Sequence, residues 1–158
     1  MDKDKLSQNV FVATKLLWNS AKHNQKYAME ESLSISKKSW LKEFCLIKVG
    51  CTRSSGHTYT IREMSNFFEN SIILIPNFNM LEHAKEDYKS NNIKNNYKMT
   101  TCDSNLYKIR GIIQTDSIFV DCSYSVSNNK LEEIESIASE YADIRRLSKK
   151  PFGLFLMQ

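Results

Sequence analysis

Short, continuous apolar runs set between segments of helical periodicity are the feature that most constrains this chain. Ile72-Ile73-Leu74-Ile75 and Ile118-Phe119-Val120 carry no polar position to alternate with. A strand with one face in water alternates apolar with polar residues, so an unbroken run implies cover on both faces. Residues 44–49 and 152–157 read as a first and a last strand, and 106–114 alternates enough for another, with Tyr107, Ile109 and Gly111 on one side.

Helical spacing fills the gaps between these runs. Residues 58–70 place Ile61, Met64, Phe67 and Phe68 inward. Asn79 with Glu82 three positions later gives a capping-box-like start to a helix through Met80, Leu81, Ala84 and Tyr88. The clearest helix is 129–147, with Leu131, Ile134, Ala138, Tyr141 and Ile144 at spacings of three and four. Arg145 and Arg146 close it, where cations suit the helix dipole, and Pro151 blocks continuation. Upstream, 9–22 is amphipathic, 25–33 forms a second segment, and Ser36 caps a third over 37–43. Trp18 and Trp40 are expected as core anchors. Residues 89–105 have few apolar positions and no period, which predicts a surface loop. The expectation is an α/β fold, a mostly parallel sheet flanked by helices over 44–158, with a helical N-terminal extension over 1–43.

At 158 residues the chain suits one domain with a real core. Its net charge of +4 permits an acidic partner without requiring one. Cys45, Cys51, Cys102 and Cys122 form no C-x-x-C pair, which points to reduced thiols and a cytoplasmic setting. A zinc site built from Cys45, Cys51, His57 and His83 lacks any recognised ligand spacing. The charged opening Met1-Asp2-Lys3-Asp4-Lys5 does not read as a signal peptide, and no apolar run approaches the roughly 18 residues that a bilayer span needs. No membrane partner is expected.

Between the first strand and the next helix runs Gly50-Cys51-Thr52-Arg53-Ser54-Ser55-Gly56-His57-Thr58. An apolar run, a loop of small residues and a helix start are the order in which backbone N–H groups and a helix dipole converge on an anion. The stretch resembles the Walker A motif of P-loop NTPases, with His57 in the place of lysine and five residues rather than four between the glycines. Ile118-Phe119-Val120-Asp121 resembles a Walker B strand. Residues 72–77 with the helix after them resemble the second strand and helix of phage or bacterial helicase and terminase ATPase cores, and 152–158 resemble a sensor strand.

That resemblance implies ATP or GTP with Mg²⁺ as cofactors. Gly50, Arg53, Ser55, Gly56, His57 and Thr58 would bind the nucleotide, with Thr58 and Asp121 on the metal and Asp121 as the catalytic acid. Arg53 would restore charge lost with the lysine, since histidine is shorter and largely neutral at its ordinary pKa of about 6.5. Cys122 stands where many hydrolysing members carry a glutamate, leaving Asp116, Glu82 and Gln158 as substitutes to orient water and implying weak or absent hydrolysis. For a phage-encoded protein the setting would be the host cytoplasm. The same residues also suit plain turns around Gly50 and Asp121. His83 lies among charged neighbours on a solvated helix face.

The alternative reading is a non-enzymatic structural or interaction protein that keeps a degenerate P-loop fold. Lys85, Lys89, Lys94, Lys98 and Lys108, interleaved with Tyr88, Tyr97 and Tyr107, would supply a nucleic-acid strip compatible with either reading. A lone core has no second lobe to move against, so motor action would require a homo-oligomer or a protein partner.

Overall fold

Five short segments pair into one all-parallel sheet, whose three central strands are buried on both faces. The computed structural model describes residues 3–50, 56–93, 96–106 and 114–158. The strands are β1 (Leu46–Val49), β2 (Asn70–Ile75), β3 (Asn96–Thr101), β4 (Ser117–Val120) and β5 (Gly153–Met157), in the order β1-β5-β4-β2-β3. The helices are α1 (Lys3–Glu30), α2 (Lys37–Trp40), α3 (His57–Ser65), α4 (Phe78–Ser90) and α5 (Asn128–Leu147). The chain is therefore α/β, with helices on both faces of the sheet.

Alternate side chains along each strand divide the core in two. Ile72, Leu74, Ile118, Val120, Leu154 and Leu156 pack with Trp40, Leu41 and the inner residues of α5. Ile73, Ile75, Phe119, Phe155 and Met157 pack on the other face with Trp18 of α1 and the buried stripes of α3 and α4. Each crossover between parallel strands takes one hand, so reversing direction along the sheet moves the connecting helix to the opposite face. The chain runs from β1 through α3 to β2 and through α4 to β3, then returns to β4 and through α5 to β5. Neighbouring strands β2 and β4 thus send their helices to opposite faces, opening a crevice beyond their carboxyl ends.

Several elements differ from the sequence expectation. The two segments over 9–22 and 25–33 are one helix, because no proline or glycine interrupts them and buried Trp18, Gln25 and Ala28 all anchor it. Ser36 does cap α2, its hydroxyl accepting from the Ser39 N–H at 3.1 Å, but the helix widens into a π turn over Leu41–Cys45 that carries Phe44. The cap of α4 is Asn77, which accepts from the Met80 N–H at 3.0 Å, two residues before the expected start. Residues 96–101, expected within a loop, form edge strand β3, paired with β2 from Asn70↔Asn96 to Ile75↔Thr101. Its side chains are exposed or half-buried, none fully buried, so no apolar run marks it. The strand expected over 106–114 falls mostly on residues 107–113, outside those described; Leu106 is fully buried and Gln114 lies in a turn. No described helix is long and apolar enough to cross a membrane.

Candidate functional site

The carboxyl edge of the sheet gathers the polar groups. Register sets their height: the Asp121 N–H donates to Leu74 O at 2.9 Å, and the Gln158 N–H donates to Val49 O at 2.8 Å. Asp121 therefore stands just past the end of β4, in line with the end of β2. Gly56 precedes α3 at φ 84°, a conformation suited to glycine, and a Cβ there would lie 2.2 Å from Ser7 Oγ. That close approach lets α1 pass over the start of α3 and sets His57 and Thr58 at the mouth of the crevice.

Two side chains of α3 meet Asp121, and Cys122 closes on one of them. The Thr58 hydroxyl donates to Asp121 Oδ2 at 3.2 Å across 63 residues of sequence. His57 Nδ1 lies 3.7 Å from Asp121 Oδ1, with both side chains buried. Cys122 Sγ lies 3.9 Å from the same His57 nitrogen. Asp121 is 1% exposed, and its Oδ1 has no hydrogen-bond partner among the described residues. Cys122 itself stands at φ 50°, and the 3₁₀ turn after it is pinned by the Ser123 hydroxyl donating to Met157 O at 3.2 Å.

A cleft of about 310 Å³ opens beside this group, lined by Thr58, Met80, His83, Ala84, Asp87 and Asp121. Its far wall is held by Arg62, whose guanidinium donates to both Asp87 oxygens at 3.0 and 2.9 Å. Burial first, then the nearby Asp121 charge, raises the Tyr88 hydroxyl pKa above its ordinary value.

The expected site residues fall into three sets. Gly56, His57, Thr58 and Asp121 come together, while Gly50 is exposed at the end of β1, on the sheet edge. Arg53 and Ser55 lie outside the described residues. The substitutes for a water-orienting group are spread over the molecule. Asp116 sits at the opposite end of β4, its carboxylate accepting from the Glu69 and Asn70 N–H groups at 2.8 and 3.2 Å, and burial raises its pKa. Glu82 is exposed and paired with Lys85 at 3.3 Å, and Gln158 is exposed at the end of β5. Arg145 donates to Pro151 O and Arg146 to Ile35 O, each at 3.1 Å, which suits helix-end cations.

His83, read as solvated, is exposed but lines the cleft. Tyr88 is buried against Tyr97, with ring centroids 5.0 Å apart, and cannot stack on a base; Lys94, Tyr107 and Lys108 lie outside the described residues. Cys122 is the residue that sequence reasoning undervalued, seen only as the absence of a glutamate. Its one signal was adjacency to a strand-end acid.

Comparison of the chain with protein-family models, curated proteins and solved structures gives no match.

Proposed function

We propose that the chain binds a purine nucleoside triphosphate, ATP or GTP, with Mg²⁺ at the carboxyl edge of the sheet. The observation that carries this reading is the Thr58–Asp121 hydrogen bond. In P-loop NTPases the metal is held by the hydroxyl residue at the start of the phosphate-binding helix and by an acid at the end of a neighbouring strand. Both groups are hard oxygen donors of the kind Mg²⁺ takes, and the buried Asp121 Oδ1, which accepts no hydrogen bond among the described residues, suits a cation nearby. Bound Mg²⁺ would neutralise phosphate charge; the N-terminus of α3, which Gly56 leaves without a side-chain cap, favours the same anion.

Hydrolysis on this reading is slow or absent. Cys122 follows the acid, Asp116 lies at the opposite end of β4, and Glu82 is exposed and paired with Lys85. His57 is folded against Asp121 and only 9% exposed, unlike an extended lysine. That placement favours the second reading, a non-enzymatic structural or interaction protein that keeps a degenerate P-loop fold.

A thermal-shift titration with ATP and GTP, each with and without Mg²⁺, tests the assignment. A ligand at about 100 times its Kd stabilises by about 2.7 kcal/mol, enough to raise the melting temperature measurably. Thr58→Ala is expected to remove most of the Mg²⁺-dependent part, and His57→Lys to enlarge the nucleotide shift. Absence of any shift at millimolar nucleotide in the native chain and in His57→Lys would transfer the assignment to the interaction reading.

A further inference from the structure

The three donor atoms around Asp121 form a second kind of site. We propose that His57 Nδ1, Asp121 Oδ1 and Cys122 Sγ bind a zinc-class transition-metal ion, with Thr58 as the outer partner that orients the carboxylate. The proposal does not rest on the nucleotide reading.

Convergence is the first reason. A Cys–His–Asp arrangement for nucleophilic catalysis divides the two ring nitrogens, one facing the thiol and the other the acid. Here a single nitrogen, Nδ1, faces both partners, at 3.7 Å from Asp121 Oδ1 and 3.9 Å from Cys122 Sγ. All three ligand atoms lie within 4.8 Å of one another, so they surround a point. A relay would chain them instead.

Size agrees. With Zn–N and Zn–O near 2.0 Å and Zn–S near 2.3 Å, tetrahedral ligand atoms sit about 3.3–3.6 Å apart. The two separations from His57 Nδ1, 3.7 and 3.9 Å, exceed that by only a few tenths of an ångström, and the oxygen and sulfur lie within 4.8 Å of each other, so metal binding would draw the three inward.

Burial provides the independent observation. Asp121 is 1% exposed and its Oδ1 accepts no hydrogen bond among the described residues. A buried oxygen without a donor is costly, the more so when charged. A metal removes that cost. Oδ2, meanwhile, is held by the Thr58 hydroxyl at 3.2 Å, the outer hydrogen bond that metal-binding carboxylates usually carry.

Donor chemistry selects the ion. Imidazole, carboxylate and thiolate together suit borderline-soft Zn²⁺ or Co²⁺ and disfavour Mg²⁺, which takes oxygen. Binding converts the Cys122 thiol to thiolate, releasing its proton to solvent. Three protein donors leave the fourth position of a tetrahedral ion for water or a ligand oxygen. Cys122 adopts φ 50°, in the left-handed region that a non-glycine residue enters at some cost, and that turn carries its sulfur beside His57.

The test uses the full chain, freed of metal with a chelator and titrated with Co²⁺ alone. One equivalent is expected to give intense visible bands of tetrahedral cobalt and a near-ultraviolet thiolate-to-cobalt charge-transfer band, both displaced by Zn²⁺. Cys122→Ser and Cys122→Asn, the latter at ease in the left-handed conformation, are expected to lose the charge-transfer band and to bind Zn²⁺ more weakly by about 100-fold or more. Thr58→Ala should keep the band while losing about 10- to 100-fold in affinity, as for an outer partner. Circular dichroism verifies the fold of each variant.

Cobalt uptake without the charge-transfer band, a full band in a folded Cys122 variant, or no uptake at micromolar metal would each overturn the site. His57→Lys separates the two assignments, since it should abolish the cobalt spectrum and strengthen nucleotide binding. Failure of either leaves the other standing.

Discussion

Cys45 and Cys102 illustrate how burial controls chemistry residue by residue. Burial pushes both thiols up to about 12; the Arg146 charge works slightly against this at Cys45, and Asp103 reinforces it at Cys102. In the unfolded chain they ionise near pH 8.5. Between those values the native state keeps protons that the unfolded state has lost, so stability falls as pH rises, by about 1.4 kcal/mol per thiol per pH unit well above the unfolded value. Urea midpoints measured from pH 8.5 to 10 should therefore decline, and Cys45→Ala combined with Cys102→Ala should flatten the slope. An unchanged slope in a folded double variant would refute that account. Cys45 was legible in the sequence as a buried hydrophobe because it lies in an apolar run, whereas Cys102 falls in the stretch expected as a surface loop and its burial was not. Cys122 is different: half-buried, its position beside His57 depends on a turn conformation that no residue pattern announces.

At the scale of elements, α1 is tied into the fold by a residue that its polar label conceals. Gln25 has no exposed surface; its amide donates to Phe44 O at 3.0 Å and to Phe152 O at 2.9 Å, and its carbonyl accepts from the Phe152 N–H at 3.0 Å. One side chain thus joins α1 to the π turn and to the residue before β5. Gln25→Ala would strand three backbone groups, so the expected loss is about 3 kcal/mol, read from the urea midpoint at unchanged m. A loss under 1 kcal/mol would mean that water replaces the amide. Long, strongly periodic α5 was readable to within one residue because its apolar stripe records its own burial. Edge strand β3 was not, since pairing with β2 comes from backbone hydrogen bonds that leave no mark on its polar sequence.

For the molecule as a whole, the two tryptophans report on opposite faces of the sheet. Trp18 lies 4.9 Å from Phe68 and 5.7 Å from Phe155 between ring centroids, while Trp40 belongs to the face covered by α5. Because both pack on the same five strands, unfolding is expected to be one cooperative transition, with tryptophan fluorescence and far-ultraviolet circular dichroism coincident in urea. A separate early fluorescence phase, lost in Trp18→Phe, would show that α1 undocks before the sheet opens. The α/β class and the placing of Asp121 at a strand end were set by local patterns: burial on both faces writes itself into a run, and a turn writes itself after it. Strand order, the continuity of α1, the removal of Asp116 to the far edge and the meeting of His57 with Cys122 across 65 residues were decided only by tertiary structure. They depend on which strands pair and on which face each crossover passes. Those choices come from long-range packing, which spacing along the chain does not encode.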